Sequence, residues 1–200
     1  MIEKAEAVLS FWFGALEPDG RCAPSVRERW FKRSDAFDQE VRDLFQETHA
    51  LGAEGGLAGW LTTPRGRLAY VILLDQLSRN MFRETPRMYA TDEQALSAAA
   101  AAVDAGEDRG LRFAERGFLY MPFMHSERLA DQDRCVELFT AFQGELSGAL
   151  REEVAVNAEY ARKHQVIVAR FGRFPHRNAI LGRASTEEEL AFLKEPGSSF

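Results

Sequence analysis

The sequence has few cysteines, few prolines and no long hydrophobic run. Its two cysteines, Cys22 and Cys135, stand far apart and outside any CxxC pattern, which excludes the disulfide frameworks of small secreted domains. Only 7 prolines and 15 glycines occur in 200 residues, so the chain is neither collagen-like nor of the disordered compositional class. The longest apolar run, Leu68–Leu74, has seven residues, whereas a membrane-spanning helix needs about 20.

No secretion signal is expected at the start of the sequence. Residues 7–16 are mostly apolar, but Glu3 and Glu6 flank Lys4 and no small-residue cleavage pattern follows. We therefore expect this stretch to form a first core helix and the protein to be cytoplasmic. In that compartment the two cysteines are thiols, although the sequence leaves a single disulfide open.

Positive charge is in the minority, since 25 Lys and Arg stand against 31 Asp and Glu, for a net charge of −6. Nonspecific nucleic-acid binding depends on neutralising phosphates, so a nucleic acid is not an expected partner. A membrane is not an expected partner either, because the longest apolar run is too short to span one. The sequence contains no GxGxxG or GxxxxGK[ST] loop, GxSxG elbow, kinase signature or HExxH motif. No metal site is predicted, and no cofactor is indicated.

The residues that are abundant predict an all-α protein. Ala and Leu, with 28 and 20 occurrences, far outnumber Val and Ile, with 10 and 4, and Ala and Leu enter helices at low entropic cost. No linker or change of composition interrupts the chain, so a single all-helical domain over residues 1–200 is expected. Its many helices with short connections are typical of a TPR-like α-solenoid or a bundle of antiparallel helices.

Helix boundaries follow from periodicity and capping patterns. Capping boxes are expected at Ser25 with Glu28, at Thr91 with Gln94 and at Ser185 with Glu188, and Thr63 precedes a proline suited to a first helical turn. The predicted helices are Lys4–Phe13, Val26–Lys32, residues 34–51, Thr91–Ala105, Leu111–Leu119, Ala130–Gln143, Ser147–Phe171 and Thr186–Leu193, with a central one in Pro64–Arg83.

The helix over residues 34–51 is predicted to be amphipathic and to stop at Gly52. Positions three and four residues apart should form its buried face, and these are Phe37, Val41, Leu44, Thr48 and Leu51. The opposite face, which includes Asp38, should be exposed to solvent.

The first candidate site segment is the central helix, whose apolar turns are followed by a polar stripe. Asp75, Arg79 and Arg83 recur four residues apart, and Asn80 lies beside them. One interpretation is an Asp75–Arg79 ion pair with a structural role, since a buried charge needs a partner. In the other interpretation Arg79 and Arg83 face an anionic ligand and Asp75 orients one of them.

The second segment, Tyr120–Asp133, contains His125 just after the break that Pro122 should impose. A histidine at such a junction can carry a proton, because its ordinary pKa is about 6.5. The alternative is a structural histidine bonded to a backbone carbonyl, with Ser126 capping the next helix.

The third segment is the most unusual, because residues 160–186 contain six Lys and Arg and no Asp or Glu. Gly172 and Pro175 should end the preceding helix, and a new helix could begin at His176. Arg173, Arg177 and Asn178 would then lie near a helix N-terminus, where guanidinium groups and backbone amides both favour an anion. His164 is more typical of a hydrogen-bonded core histidine than of a catalyst.

Five strings together resemble a known family: VLSFWFG, DQLSRNMFR, PFMHSERLADQD, FGRFPHRNAILGR and STEEELAFL. Over essentially all 200 residues the chain is similar to domain of unknown function family 924, a group of mainly bacterial, all-helical, TPR-like proteins. The resemblance implies the fold and supplies no reaction, cofactor or catalytic residue.

The sequence therefore predicts a protein that binds a small phosphate- or carboxylate-bearing ligand in a cleft lined by arginine and histidine. The expected ligand-binding residues are Asp75, Arg79, Asn80, Arg83, Arg173, Arg177 and Asn178. If the protein is an enzyme, His125 and His176 are the candidate catalytic proton carriers. The alternative is a TPR-like interaction module whose arginines clamp the carboxylates of an acidic peptide.

Overall fold

A computed structural model describes residues 2–199, and it is all-α as predicted. It is 72% helical, and an isolated bridge between Leu16 and Cys22 is the β-type pairing within that range. The helices are α1 Ile2–Phe13, α2 Pro24–Phe31, α3 Asp35–Ala53, α4 Pro64–Val71, α5 Leu77–Met81, α6 Asp92–Asp104, α7 Phe113–Leu119, α8 Met121–His125, α9 Leu129–Gly144, α10 Gly148–Phe171 and α11 Glu187–Phe192.

The chain forms two compact units. Unit 1 contains residues 2–83 and 87–122, and unit 2 contains residues 84–86 and 123–199. The expectations of a single domain and of a TPR-like arrangement stay predictions.

Unit 1 has an aromatic core next to a buried central helix. The rings of Trp12 and Trp30 stack, and Phe118 meets Trp30 edge-on with ring centroids 4.6 Å apart. Every residue of the apolar run Leu68–Leu74 is at most 5% exposed. The run that is too short to span a membrane is thus the centre of this unit.

The central helix contains a π turn at Ile72–Gln76, between α4 and α5. The carbonyl of Leu74, inside the turn, accepts hydrogen bonds from the Ser78 and Thr91 hydroxyls at 2.7 and 2.6 Å. Nε2 of His49 lies 2.7 Å from Ser78 Oγ. A buried group of hydroxyls and one imidazole therefore surrounds the widened turn.

The buried face of α3 differs in part from the predicted one. Leu44 and Leu51 are 56% and 42% exposed, whereas Phe45 takes a buried position. Asp38, expected on the solvent face, is only 3% exposed. The prediction was wrong for Asp38 because its partners, described below, come from a distant part of the chain. The residues buried as predicted are Phe37, Val41 and Thr48.

Two helix starts follow their capping residues closely. Thr63 caps α4 as predicted. At α11 the capping box lies one residue beyond the predicted Ser185–Glu188 pair. The Thr186 side chain accepts the N–H of Glu189, and the Glu189 carboxylate accepts the N–H of Thr186.

Two other predicted capping boxes were wrong. The Thr91 hydroxyl bonds the Leu74 carbonyl instead of the start of α6, and the Gln94 amide donates to the Ala53 carbonyl. Helix α2 begins one residue before Ser25. Tertiary hydrogen bonds thus outcompete the local pattern at Thr91 and Gln94.

Unit 2 is built on a hairpin of α9 and α10, joined by three residues. Cys135 and Phe139 of α9, and Val154, Ala158 and Ala161 of α10, are fully buried. Gly172 ends α10 in the left-handed region at φ 67°, as predicted for a residue without a Cβ. The chain then returns to the hairpin, where Phe174 joins a core cluster of Ile167, Val168 and Phe192.

Within residues 2–199 no helix is both long enough and apolar enough to cross a bilayer. Cys22 and Cys135 are both buried thiols. Burial raises the pKa of Cys135 well above its ordinary value.

Candidate functional site

The nine residues predicted to form a site lie partly in each unit. Those in unit 1 are Asp75, Arg79, Asn80 and Arg83. Those in unit 2 are His125, Arg173, His176, Arg177 and Asn178.

In unit 1, Arg79 is bound by two carboxylates. Its Nη1 lies 3.1 Å from Asp75 Oδ1, and its two terminal nitrogens donate to Asp92 at 3.0 and 3.1 Å. The Asp75 backbone carbonyl accepts a further hydrogen bond from Nη1 at 2.6 Å. The ion pair of the structural interpretation is therefore present, and Asp92 extends it.

Arg83 and Asn80 are held in a similar way by Asp38. Arg83 donates two hydrogen bonds to that carboxylate at 2.7 and 2.9 Å, and Asn80 donates one at 2.8 Å. Burial opposes ionisation of Asp38, but the hydrogen bonds from Arg83 and Asn80 hold its pKa below the ordinary value. These contacts fix α5 against α3, and ligand binding by Arg79 and Arg83 stays a prediction.

In unit 2, Glu127 organises the loop that follows α10. Its carboxylate accepts the Phe174 N–H at 2.8 Å and two hydrogen bonds from Arg183 at 2.6 and 2.8 Å. Arg183 Nε also donates to the Asn178 side-chain carbonyl at 3.0 Å. Both ends of the loop over residues 174–183 are thereby tied to one acidic side chain.

Arg173 is held by the buried Glu189. Two of its nitrogens donate to that carboxylate at 2.6 and 2.8 Å, and the Asn178 amide donates to Glu189 at 3.3 Å. The Arg173 hydrogen bond lowers the pKa of Glu189 to about 2, against an opposing effect of burial. Arg173 and Asn178 thus form part of the framework of the loop.

These contacts neutralise most of the basic run in residues 160–186. Four of its six Lys and Arg have carboxylate partners in the pairs Lys163–Glu159, Arg170–Glu188, Arg173–Glu189 and Arg183–Glu127. Arg162 is exposed on α10. Arg177 is 7% exposed, and its guanidinium carbon lies 4.6 Å from the centre of the Phe174 ring.

Histidines from two elements meet this arginine at Phe174. The centres of the His164 and His176 rings lie 5.6 and 5.5 Å from the centre of the buried Phe174 ring. His125, at the end of α8, is close enough to act electrostatically on both histidines. We call His125, His164, His176 and Arg177 the histidine cluster.

The imidazoles of His164 and His176 lie beside fixed positive charge. Burial lowers the pKa of His164 to about 3, despite its bond to the Tyr160 carbonyl at 2.8 Å. Burial, followed by the charge of Arg177, lowers the pKa of His176 to about 4, although Glu127 acts in the opposite direction. Both imidazoles are therefore neutral at physiological pH.

A buried glutamine supports the backbone around His125. Nε2 of Gln132 donates to the carbonyls of Met124 and Ser126 at 2.7 and 2.6 Å, one on each side of His125 in the sequence. Gln132 has no exposed surface, and its Oε1 accepts no hydrogen bond from the described residues. The position of His125 is thus set by α9.

The predicted helix after Pro175 is absent. Residues Pro175–Arg177 form a single 3-10 turn that leads into further turns, because the local contacts go to Glu127 and Glu189 instead of a new helix. The expected contribution of a helix N-terminus to anion binding was therefore wrong, and the charged and imidazole side chains remain.

Sequence reasoning missed four residues of this region. Glu127 and Arg183 had no assigned role, Gln132 was passed over, and His164 was taken as a core residue. His164 is indeed buried and bonded to a backbone carbonyl, yet it also belongs to the histidine cluster. The spacing of charges along the chain carries no signal for the Glu127–Arg183 pair, whose members are 56 positions apart.

Two open clefts lie in unit 1, with volumes of about 460 and 410 Å³. Neither is lined by a residue of the predicted site. Among residues 2–199 there is no group of three or more His, Cys, Asp or Glu side chains that could hold a metal ion.

Comparisons with known proteins extend over nearly the whole sequence. A family model described as a bacterial protein of unknown function (DUF924) matches residues 8–197. A solved structure of a protein of unknown function from Agrobacterium tumefaciens has a TM-score of 0.79 and 37% sequence identity, covering 96% of this chain and 98% of that one. No curated protein matches the chain.

Proposed function

Because the chain belongs to the DUF924 family of bacterial proteins of unknown function, no reaction can be carried over to it, and we propose from its geometry that unit 2 binds a small oxyanion at the histidine cluster. The ligand is a phosphate- or carboxylate-bearing small molecule. His125, His176 and Arg177 contact it, while Arg173 and Asn178 hold the loop in place.

The observation that supports this function is the excess of positive charge around Phe174. Arg177 and Arg183 both act on His176, and the Glu127 carboxylate acts on it in the opposite direction. That carboxylate already accepts Arg183 and the Phe174 N–H. An oxyanion bound beside His176 would therefore interact with the two guanidinium groups of Arg177 and Arg183 and with the single carboxylate of Glu127.

The chemistry of the cluster suits an oxyanion. A guanidinium has planar donors that match carboxylate and phosphate oxygens, and a neutral imidazole can donate one hydrogen bond and accept another. Because Arg177 is buried, its attraction for an anion is screened less than that of a surface arginine.

The same arrangement suits proton transfer. General acid–base catalysis needs a positioned side chain that can gain and lose a proton near the working pH, and a bound anion would raise the pKa of His176 toward that range. His125 and His176 are the proton carriers that this proposal assigns to a reaction at the site. A survey of phosphorylated and carboxylate metabolites for turnover tests that role, and loss of turnover in His176→Gln with retained binding is the expected result.

Binding itself is tested by titration calorimetry with inorganic phosphate and with acetate, comparing Arg177→Gln with Arg162→Gln. Arg162 is exposed on α10 of the same unit, so its variant makes the same change of charge at a solvent-facing position. We expect binding to the natural protein and to Arg162→Gln, and at least a tenfold loss in Arg177→Gln. Equal affinities in all three proteins would refute the proposal.

Thermal unfolding provides a second measurement. A ligand at 100 times its Kd stabilises the state it binds by about 2.7 kcal/mol, which raises the Tm of a protein of this size by about 5–11 °C. If an acidic peptide raises the Tm but phosphate and acetate do not, the interaction-module alternative replaces the small-ligand proposal.

A further inference from the structure

We propose that the histidine cluster takes up one proton with its anion, so that oxyanions which carry a transferable proton near neutral pH, such as dihydrogen phosphate, are its preferred ligands. This inference rests on the proposed function and adds to it a ligand class and a dependence on pH. It concerns His176 in particular, with His125, His164 and Arg177 as its surroundings.

Two imidazoles and one guanidinium group lie around the apolar ring of Phe174. His164 comes from α10, and His176 and Arg177 come from the 3-10 turn; all three lie within 5.6 Å of the centre of the Phe174 ring. His125 approaches from the end of α8. Three of the chain's four histidines are thus gathered here, on segments that α9 and Glu127 hold in place.

The charged groups that act on these imidazoles are mostly cationic or able to become so. His176 is acted on by Arg177, Arg183, His125 and Glu127. His164 is acted on by His125, Arg177 and His176, and its Nδ1 donates to the Tyr160 carbonyl. Protonating His164 or His176 without an anion therefore adds a cation near the permanent cation of Arg177.

An anion reverses this balance. Its charge offsets Arg177 and favours the imidazolium form of a neighbouring histidine, because an opposite charge within a few ångströms raises a histidine pKa. Of the two histidines beside Phe174, His176 is better placed to take the proton, since it is half-buried where His164 is buried and Glu127 also favours its cation. Anion binding and proton uptake are thus linked.

The ligand class follows from this linkage. Sulfate carries no proton near neutral pH, so the protein must bind one from solvent to hold it. Phosphate has the same tetrahedral shape, and its dihydrogen form can give a proton to the neutral imidazole of His176 and stay bound as the hydrogen phosphate dianion. The cluster should consequently prefer phosphate over sulfate more strongly as the pH rises.

The experiment measures sulfate and phosphate affinities by calorimetry between about pH 5 and pH 8, in buffers of different ionisation enthalpy. For uptake of one proton, the sulfate affinity should fall about tenfold per pH unit, and the buffer dependence should report about one proton bound per sulfate. The ratio of phosphate to sulfate affinity should increase with pH.

Two histidine variants assign the effect. His176→Gln should flatten the pH dependence of sulfate binding, whereas His49→Gln should leave it unchanged, because His49 is a buried histidine of unit 1. A circular dichroism spectrum and Tm for each variant confirm that it is folded. His125→Gln and His164→Gln serve as further variants if His176→Gln unfolds.

The outcomes separate the two proposals. If phosphate, sulfate and acetate all fail to bind, the proposed function itself fails. If acetate alone binds, anion binding stands and the proton-linked inference is overturned. If both bind with equal affinity and without proton uptake, anion binding stands and the proton-linked inference is overturned. A pH dependence that survives in His176→Gln refutes the assignment to His176.

Discussion

Replacing Glu127 by glutamine removes the charge that ties together the loop carrying the histidine cluster. Glu127 accepts three hydrogen bonds, two from Arg183 and one from the Phe174 N–H. Glutamine has nearly the same shape, but one of its oxygens is replaced by an NH2 group that cannot accept from Arg183. The variant therefore leaves a guanidinium donor facing another donor.

The expected loss of stability follows from the burial of the pair. Both side chains are 26% exposed, which places the pair between a surface ion pair, at about 0–1 kcal/mol, and a fully buried one, at about 3–5 kcal/mol when one partner is removed. Hydrogen bonds to charged groups contribute about 1.5–3 kcal/mol. We expect Glu127→Gln to lose about 2–3 kcal/mol, or about 4–12 °C in Tm.

Two measurements examine this expectation. Urea denaturation reports the overall loss, and hydrogen exchange at the Phe174 amide reports the contact directly, which is useful because a protein with two compact units need not unfold in one step. Exchange at Phe174 should become faster in Glu127→Gln. The matched control is Glu137→Gln, an exposed glutamate on α9, which should change neither quantity.

The reasoning is refuted if Glu127→Gln loses less than about 0.5 kcal/mol, the range of ordinary surface substitutions, and the Phe174 amide keeps its protection. A loss confined to low pH would also contradict it. Burial opposes ionisation of Glu127, but hydrogen bonds from Arg183 and Phe174 lower its pKa below the ordinary value. Its contribution is therefore complete above the unfolded pKa and lost as the pH falls below it.

Three further changes have defined outcomes. Asp38→Asn should lose about 2–4 kcal/mol in urea denaturation because Arg83 is left without its buried carboxylate; a loss as small as that of a surface variant would contradict the ion-pair geometry. Ser78→Ala should lose about 1–3 kcal/mol, since His49 Nε2 loses its hydroxyl partner, and an unchanged urea midpoint would count against that bond. Glu189, with its pKa near 2, should contribute stability that declines as the pH falls from about 4.5 to 2; Glu189→Gln should remove this part of the acid titration, and an unaltered acid titration would contradict it.

Local features of the fold could be predicted from the sequence. Gly172 stops α10 because a left-handed residue is easiest for glycine, and Thr63 caps α4 because its side chain meets an amide three residues on. Both effects act within a few positions. The capping box at α11 was displaced by one residue because Thr186 and Glu189 offer the same chemistry as Ser185 and Glu188.

Long-range pairing could not be predicted in this way. Asp38 was assigned to solvent from its helical position, yet Arg83, 45 residues later, is its partner. The basic run was counted along the chain, where Glu127 lies outside it, although in space that carboxylate neutralises Arg183. Counting charged residues along the sequence therefore located the region of the candidate site but overstated how many of its positive charges are available to a ligand.

The π turn at Ile72–Gln76 has a consequence for chain length. A π turn closes its hydrogen bonds over five residues where an α-helix uses four, so the buried helix stores one surplus residue at this point. Removing one residue there would restore an ordinary helix and leave Arg79 and Arg83 on the faces that meet Asp92 and Asp38. A relative with one residue fewer between Pro64 and Met81 can thus keep the Arg79–Asp92 and Arg83–Asp38 pairs. A one-residue gap at this place in an alignment would indicate an α-helical turn instead of the π turn, with the same ion-pair partners.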